Sequence, residues 1–367
     1  MSKAQKTTLI VATILLVSGL VITTGAFAAV GFDPRNLSTT NDWEATANTL
    51  PAEAEAPHTA IVIRDASENV RIEPTFSDSI EIEYWENEYK HFEVTDEGGV
   101  LTIVGSDKLH FNFMMIDFQD RTTVVKVPQS YAGTIDIETA SGNVSATDLA
   151  GIESLATRTK SGNVSALRVE ANRVDVQASS GNITLDKVSS TDAQAIAASG
   201  NVFVRNMDAN TISLQATSGN VSLDGSTATN IQALATSGNV SASQCEGDRI
   251  VLEATSGNVI AQIEGLAEAY DIDTSTTSGN NHGPRGTTGA DKSITIRTTS
   301  GDITLTFVGG STASNQPHDE SNTESRDDSL STAPESPSAP EAPAAPAAPA
   351  APAAPAAPAA PEAPAAP

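Results

Sequence analysis

Five histidines, one cysteine and a large excess of acids are the residues of this chain on which chemistry could rest. His58, His91, His110, His282 and His318 lie in separate segments, none paired with another at metal-ligand spacing, so zinc has no visible site. Cys245 is the single cysteine, which rules out an internal disulfide framework. Its place in an apolar series reads as a small buried hydrophobe rather than a reactive thiol. No Gly-x-Ser-x-Gly elbow, phosphate-binding loop or dinucleotide fingerprint is present. Among 46 aspartates and glutamates, no pair can be singled out as a glycosidase dyad without a fold to bring it together. The expectation is therefore a chain with no catalytic residue, no cofactor and no bound metal.

Aromatic residues offer a second kind of chemistry. Tyr84, Trp85, Tyr89 and Phe92 are interleaved with Glu83, Glu86, Glu88 and Lys90, a mixture that could make an exposed platform for sugar or peptide. The same rings could instead form the core of a β cap, and that reading is favoured, since aromatics are only 4% of the chain and are concentrated in this region.

The elements that must position any site are repetitive. Ser-Gly-Asn/Asp triplets centre on Gly142, Gly162, Gly181, Gly200, Gly219, Gly238, Gly257, Gly279 and Gly301, at successive spacings of 20, 19, 19, 19, 19, 19, 22 and 22 residues. A fixed period of this length marks a repeat architecture in which each unit covers its neighbour's core. Before each glycine, apolar or small residues fall at odd offsets, as in Ile212, Leu214 and Ala216; after it they fall at even offsets, as in Val221 and Leu223. Both runs have period 2, so both are strands, and the change of parity is a corner. Glycine suits the positive φ that corners commonly need, and Ser and Asn can bond neighbouring backbone groups.

A third inward station lies seven residues past the glycine, at Leu149, Val169, Val188, Met207 and Cys245, with Ser226 as the polar exception. Three short stations in 19 residues leave too little chain for helices. The economical fold is all-β: a parallel β-solenoid of about nine 19–22-residue coils, roughly 40 Å long at about 4.8 Å per coil. Asn143, Asn163, Asn182, Asn201, Asn220, Asn239, Asn258 and Asn280 would then stack as an amide ladder closed by Asp302. Neutral Asn at eight of nine corners argues against the calcium-binding solenoids, whose repeats carry Asp.

The flanks divide the chain further. Residues 1–30 hold Lys3 and Lys6 ahead of an uncharged run from Thr8 to Val30. At 1.5 Å per residue that run reaches about 34 Å, enough for a bilayer core of about 30 Å. Ala26-Phe27-Ala28 also fits a signal-peptidase site; a retained anchor is favoured because the run is long. Either way, the rest of the chain is expected outside the membrane. Residues 31–57 read as a linker, 58–132 as an N-terminal β cap, and 133–310 as the solenoid. Within the cap Ser67-Glu68-Asn69-Val70 is similar to a degenerate triplet.

The 280–286 insertion, Asn-Asn-His-Gly-Pro-Arg-Gly, is either a binding loop or an end cap. Residues 311–332 are acidic and Ser-rich, with the composition of a disordered linker. Residues 333–367 carry Pro at every third position, a polyproline II spacer. The formal charge of −26 argues against nucleic acid as a partner.

From Gly31 to about Phe307, the membrane segment followed by Gly31-Phe32-Asp33, a β cap and serial Ser-Gly-Asn-Val or Ser-Gly-Asp-Ile corners resembles the bacterial putative-adhesin β-solenoid family, a domain of unknown function with serial Ser/Thr-Gly-Asp/Asn repeats. The resemblance implies an exported or membrane-tethered, non-enzymatic solenoid and carries over no catalytic residue. The Pro/Ala tail and the 280–286 insertion depart from the family's usual form. The function expected is a cell-envelope scaffold meeting cell-wall polysaccharide or a surface protein through repeated weak contacts. The alternatives are a structural protein polymerising through its solenoid ends and, less favoured, a β-helical polysaccharide-active enzyme.

Overall fold

A computed structural model of the chain describes residues 44–50, 58–87, 89–107 and 121–309. The hydrophobic run, most of the 31–57 linker, residues 108–120 of the expected β cap, and the acidic and Pro/Ala segments lie outside the described residues. Among those described, no helix is long and apolar enough to cross a membrane.

Residues 133–309 form a parallel β-solenoid, as the period requires. The coil of Ile183–Ser199 shows how the sequence makes it: Ile183, Leu185, Val188, Ala193, Ala195 and Ala197 are buried, and the alternation breaks at Asp186-Lys187 and again before Ala193. With the triplet corner, two such breaks give three corners and three sides per coil. Equivalent positions stack in register, Val174 on Ala193, Ile212, Ile231, Ile250 and Ile294, and all six are buried. Each fully buried Ile stabilises by about 1.5–3 kcal/mol. The column is therefore the main cohesive term along the rod. In the coil of Gly200, the small Ala193, Ala195 and Ala197 and the longer Met207 are all buried.

Ser226, the polar exception at the third station, is fully buried and satisfied: its hydroxyl donates to the Asp224 carbonyl at 3.0 Å and accepts from the Met207 N–H at 3.1 Å.

Six of the nine triplet glycines, Gly200, Gly219, Gly238, Gly257, Gly279 and Gly301, take the positive φ expected of a corner, from 147° to 159°, and close stacking adds a second requirement. A Cβ on Gly219 would meet the carbonyl oxygen of Gly200, well inside the 3.0 Å that real Cβ atoms keep, and the same holds from corner to corner. The compact left-handed conformation recurs at the second corner, six residues on, at Asp148, Arg168, Lys187, Asn206, Gly225 and Gln244, with φ from 51° to 57°. Only one of the six is glycine.

Chain order and stacking order part at both ends. Lys292–Ser300 lies between the coil strand Val240–Ser256 and the earlier strand Tyr270–Ser278, and Ile303–Val308 lies between Val259–Glu264 and Asn281–His282. Gly301 therefore sits on Gly257, and Gly279 sits on Gly301. The expectation that each corner lies over the one before it in sequence fails for this last pair.

The N-terminal end repeats the arrangement. Ala60–Asp65 lies between Val100–Asp107 and Thr134–Thr139, and Asn69–Thr75 pairs with Thr122–Pro128 and with Val144–Thr159. Outside these, Ile80–Glu86 pairs antiparallel with Thr122–Pro128 and with Glu44–Leu50, and Lys90–Glu97 pairs antiparallel with Val100–Asp107.

Candidate binding faces

The asparagines at the triplet corner form a hydrogen-bonded column. In each step the upper residue's backbone N–H donates to the lower side-chain oxygen, from Asn163 on Asn143 at 2.9 Å up to Asn258 on Asn239 at 2.8 Å. The column starts one coil earlier than the triplets, because Asn143 donates through both its backbone and its amide to Asn69 of the Ser67-Glu68-Asn69 turn. Asp302 is an internal rung rather than the terminus: it donates to Asn258 at 2.8 Å and accepts from Asn280 at 2.7 Å. A carboxylate can occupy that rung because the position is exposed and asked chiefly to accept.

Beside this column runs a second, formed by the outward residues of the side that follows the triplet: Ser165, Thr184, Phe203, Ser222, Ser241 and Ile260, in register. Phe203 is a half-buried ring in a line of hydroxyls, and beyond the exposed Ile260 the column continues through Thr304 to His282. The next outward positions place Arg205 between Asp186 and Asp224. Sequence reading missed Phe203; its signal is that it alone breaks the Ser/Thr identity of the third residue after the glycine over the central coils.

The side that precedes the triplet is different. Its middle is uncharged, with Gln194, Ser213, Gln232 and Val251 in one outward column and Ile196, Gln215 and Leu234 beside it. Charges gather towards the ends and alternate in sign: Arg64 meets Asp136 at 2.6 Å and Glu138 at 3.5 Å, Arg158 lies 3.6 Å from both Asp136 and Asp175, and Arg297 meets Asp273 at 3.0 Å. At the second corner Arg168 holds Asp148 through two hydrogen bonds, which keep that carboxyl below its usual range.

The aromatic cluster divides: Tyr84 joins the core, while Trp85, Tyr89 and Phe92 are half-buried. Tyr84 is buried against Phe92 with ring centroids 4.7 Å apart, and Lys90 lies over Phe92 at 5.1 Å. Lys90 is itself buried, its ammonium 2.5 Å from Asp65 and 3.2 Å from Asp107. Glu68, 3.5 Å from Arg121, adjoins this group; burial raises its carboxyl above the ordinary value, against the pull of Arg121 and Lys90. These residues brace the intercalated N-terminal coil.

Where the chain turns from Thr122–Pro128 to Thr134–Thr139, a cavity of about 750 Å³ opens, lined by His58, Asp78, Ile80, Ser130, Tyr131 and Glu153 among others. Tyr131 plugs the core there, its hydroxyl donating to the Thr134 carbonyl at 2.7 Å, and burial raises its phenol well above the usual range. His58 Nε2 lies 3.0 Å from Asp96.

His91 and His282 are exposed on strands, and His110 and His318 lie outside the described residues. No group of three metal-ligating side chains converges among the described residues. Cys245 is buried with its sulfur 3.2 Å from the Ser243 carbonyl, and burial pushes its thiol up to about 11. The 280–286 insertion folds back over the last coil: Thr287 N–H donates to the Tyr270 carbonyl, and Gly286 packs against that carbonyl and Ile272.

A search of curated proteins found no match. Among solved structures, the chain is similar to a putative adhesin from Bacteroides fragilis, at 11% identity over 74% of this chain and 99% of that one, with a TM-score of 0.40. It is likewise similar to a putative lipid binding protein from Parabacteroides distasonis, at 18% identity over 73% of this chain and 98% of that one, with a TM-score of 0.41. Residues 58–306 match the Toastrack DUF4097 family across two thirds of the chain, and the chain belongs to that family.

Proposed function

We propose that the chain is a non-enzymatic surface-binding scaffold of the cell envelope, held at the membrane by residues 8–30, or released where that segment is cleaved, with its solenoid on the outer side. The observation that carries this reading is the side following the triplet, where the asparagine column and the Ser165–Ser241 column set amides and hydroxyls at the coil spacing, with Phe203 among them. Such a surface has no deep pocket. It gains affinity by repetition, each contact weak and the sum multiplied by the high effective concentration of the next. Cell-wall polysaccharide or a surface protein fits this chemistry, since both offer repeated polar groups to a flat face. The test is retention of the full-length chain on isolated envelope polysaccharide and protein fractions, compared with a Phe203→Ser, Asn201→Ala, Asn220→Ala variant. Retention that the variant loses supports the reading; absence of retention on every fraction overturns it.

A further inference from the structure

The cavity beside Tyr131 shares no residue with the flat side that follows the triplet. Its volume of about 750 Å³ falls within the roughly 300–1,000 Å³ of small-ligand sites. One wall is fixed by Tyr131, which is buried between this cavity and a second of about 330 Å³ that it also lines. The Tyr131 N–H donates to the Pro128 carbonyl at 2.9 Å and its hydroxyl to the Thr134 carbonyl at 2.7 Å. Gly133 allows the turn to close on itself: a Cβ there would meet the Thr59 carbonyl oxygen at 2.4 Å and the Tyr131 hydroxyl at 2.6 Å.

The polar lining is unbalanced. The N–H groups of Thr59, Tyr131, Thr134 and Glu153 all donate to carbonyls of the fold, so these donors are spent. Asp78 and Glu153 line the same recess, both exposed, and neither is ion-paired among the described residues; Glu153 accepts one hydrogen bond from the Asn172 amide at 2.9 Å. No Lys or Arg lines the cavity. Its imidazole, His58, has a side chain only 10% exposed and lies 3.0 Å from Asp96, so a proton gained there is answered by that carboxylate. Ile80, Pro128, Ala132 and the Tyr131 ring supply the apolar surface.

We infer that this cavity binds a small organic ammonium compound, its apolar body against Ile80, Pro128 and Tyr131 and its cationic head towards the carboxylates of Asp78 and Glu153. Hydrogen bonds from a cation to ionised acceptors are the stronger kind, and the lining lacks such a donor of its own. An anion would meet two uncompensated carboxylates in a chain of formal charge −26, whereas a cation is drawn in by the same field. The site is distinct from the repeated weak contacts of the flat side: it takes one small molecule whole, in a recess built by the turn between Thr122–Pro128 and Thr134–Thr139.

A ligand-observed NMR titration of the full chain with tryptamine, and with tryptophol as its neutral alcohol analogue, tests this. Tryptamine is expected to bind about tenfold tighter than tryptophol, by a margin that shrinks in about 0.5 M salt. Asp78→Asn and Glu153→Gln each weaken tryptamine binding about three- to tenfold, and Ala132→Trp, which fills the recess, abolishes it. Glu170→Gln removes an exposed carboxylate that does not line the cavity and leaves binding unchanged, which separates a site from general attraction to an acidic protein. All four positions are exposed, so unchanged circular dichroism keeps the comparison clean. No binding of tryptamine, equal binding of the two compounds, or a loss from Glu170→Gln as large as that from the cavity variants overturns the proposal.

Discussion

The side-chain oxygen of Asn201 accepts two hydrogen bonds from Asn220, one from its backbone N–H at 2.9 Å and one from its amide at 3.2 Å. The backbone bond needs only an acceptor below, whereas the amide bond needs a donor above. Asn220→Ala leaves the Asn239 N–H without its side-chain acceptor and costs about 1 kcal/mol, while Asn220→Asp keeps that acceptor and costs less. Urea denaturation of the two variants checks this. Aspartate at both 220 and 239 costs more than the two single changes added together, by an excess that shrinks in 1 M salt.

Glycine takes a positive φ at both Gly219 and Gly225, but only at Gly219 would a side chain also meet backbone, and the difference is measurable. Gly219→Ala drives a methyl group into the backbone of the coil below and costs about 3 kcal/mol or more. Gly225→Ala meets only the Asn206 side-chain oxygen at 3.1 Å and pays mainly for φ 57°, about 1 kcal/mol. Lys187→Gly removes such a penalty and stabilises by roughly 0.5–1 kcal/mol. A melting series that ranked Gly225→Ala as the worst of the three would contradict this account.

Cys245 resists alkylation in the folded protein at pH 8, because its thiol is buried and titrates near 11, and reacts fully in denaturant. Cys245→Ser costs less than about 1 kcal/mol, since Ser243 offers the carbonyl two residues back that Asp224 offers to Ser226 one coil below. Labelling followed by mass spectrometry, and a melting curve for the variant, are sufficient.

Glu68 makes stability depend on pH in a defined direction. Its folded pKa lies above the unfolded value of 4.5, so the protonated form is favoured by folding. The stabilisation is complete below the unfolded value and is lost as pH rises through the folded one. Glu68→Gln, uncharged throughout, removes this dependence. The melting temperature of the wild type relative to the variant therefore falls as pH rises from 4.5 through the raised folded value; parallel curves would count against it.

Much of the solenoid is legible in the sequence because burial in a thin coil leaves little choice. Val221 and Ile250, read as inward from parity alone, are fully buried. The stacking order of the last coils was not legible, because Gly279 and Gly301 sit in triplets of the same kind and a coil that skips one layer shows the same alternation. The left-handed corner was hidden by variety: Asp148, Arg168, Lys187, Asn206 and Gln244 share a backbone conformation but no side-chain chemistry. The outward columns were the least visible part. Outward positions carry no packing constraint, so Phe203 stood in the sequence as one more residue of a strand.

Glu44–Leu50, the first described strand, hangs on Ile80–Glu86 alone, but Ala60–Asp65 and Ile303–Val308 each lie between two parallel neighbours. Traction on the ends of the folded chain would strip Glu44–Leu50 and then stall at strands that are not outermost layers. To go further it must shear a buried layer free of two ladders at once.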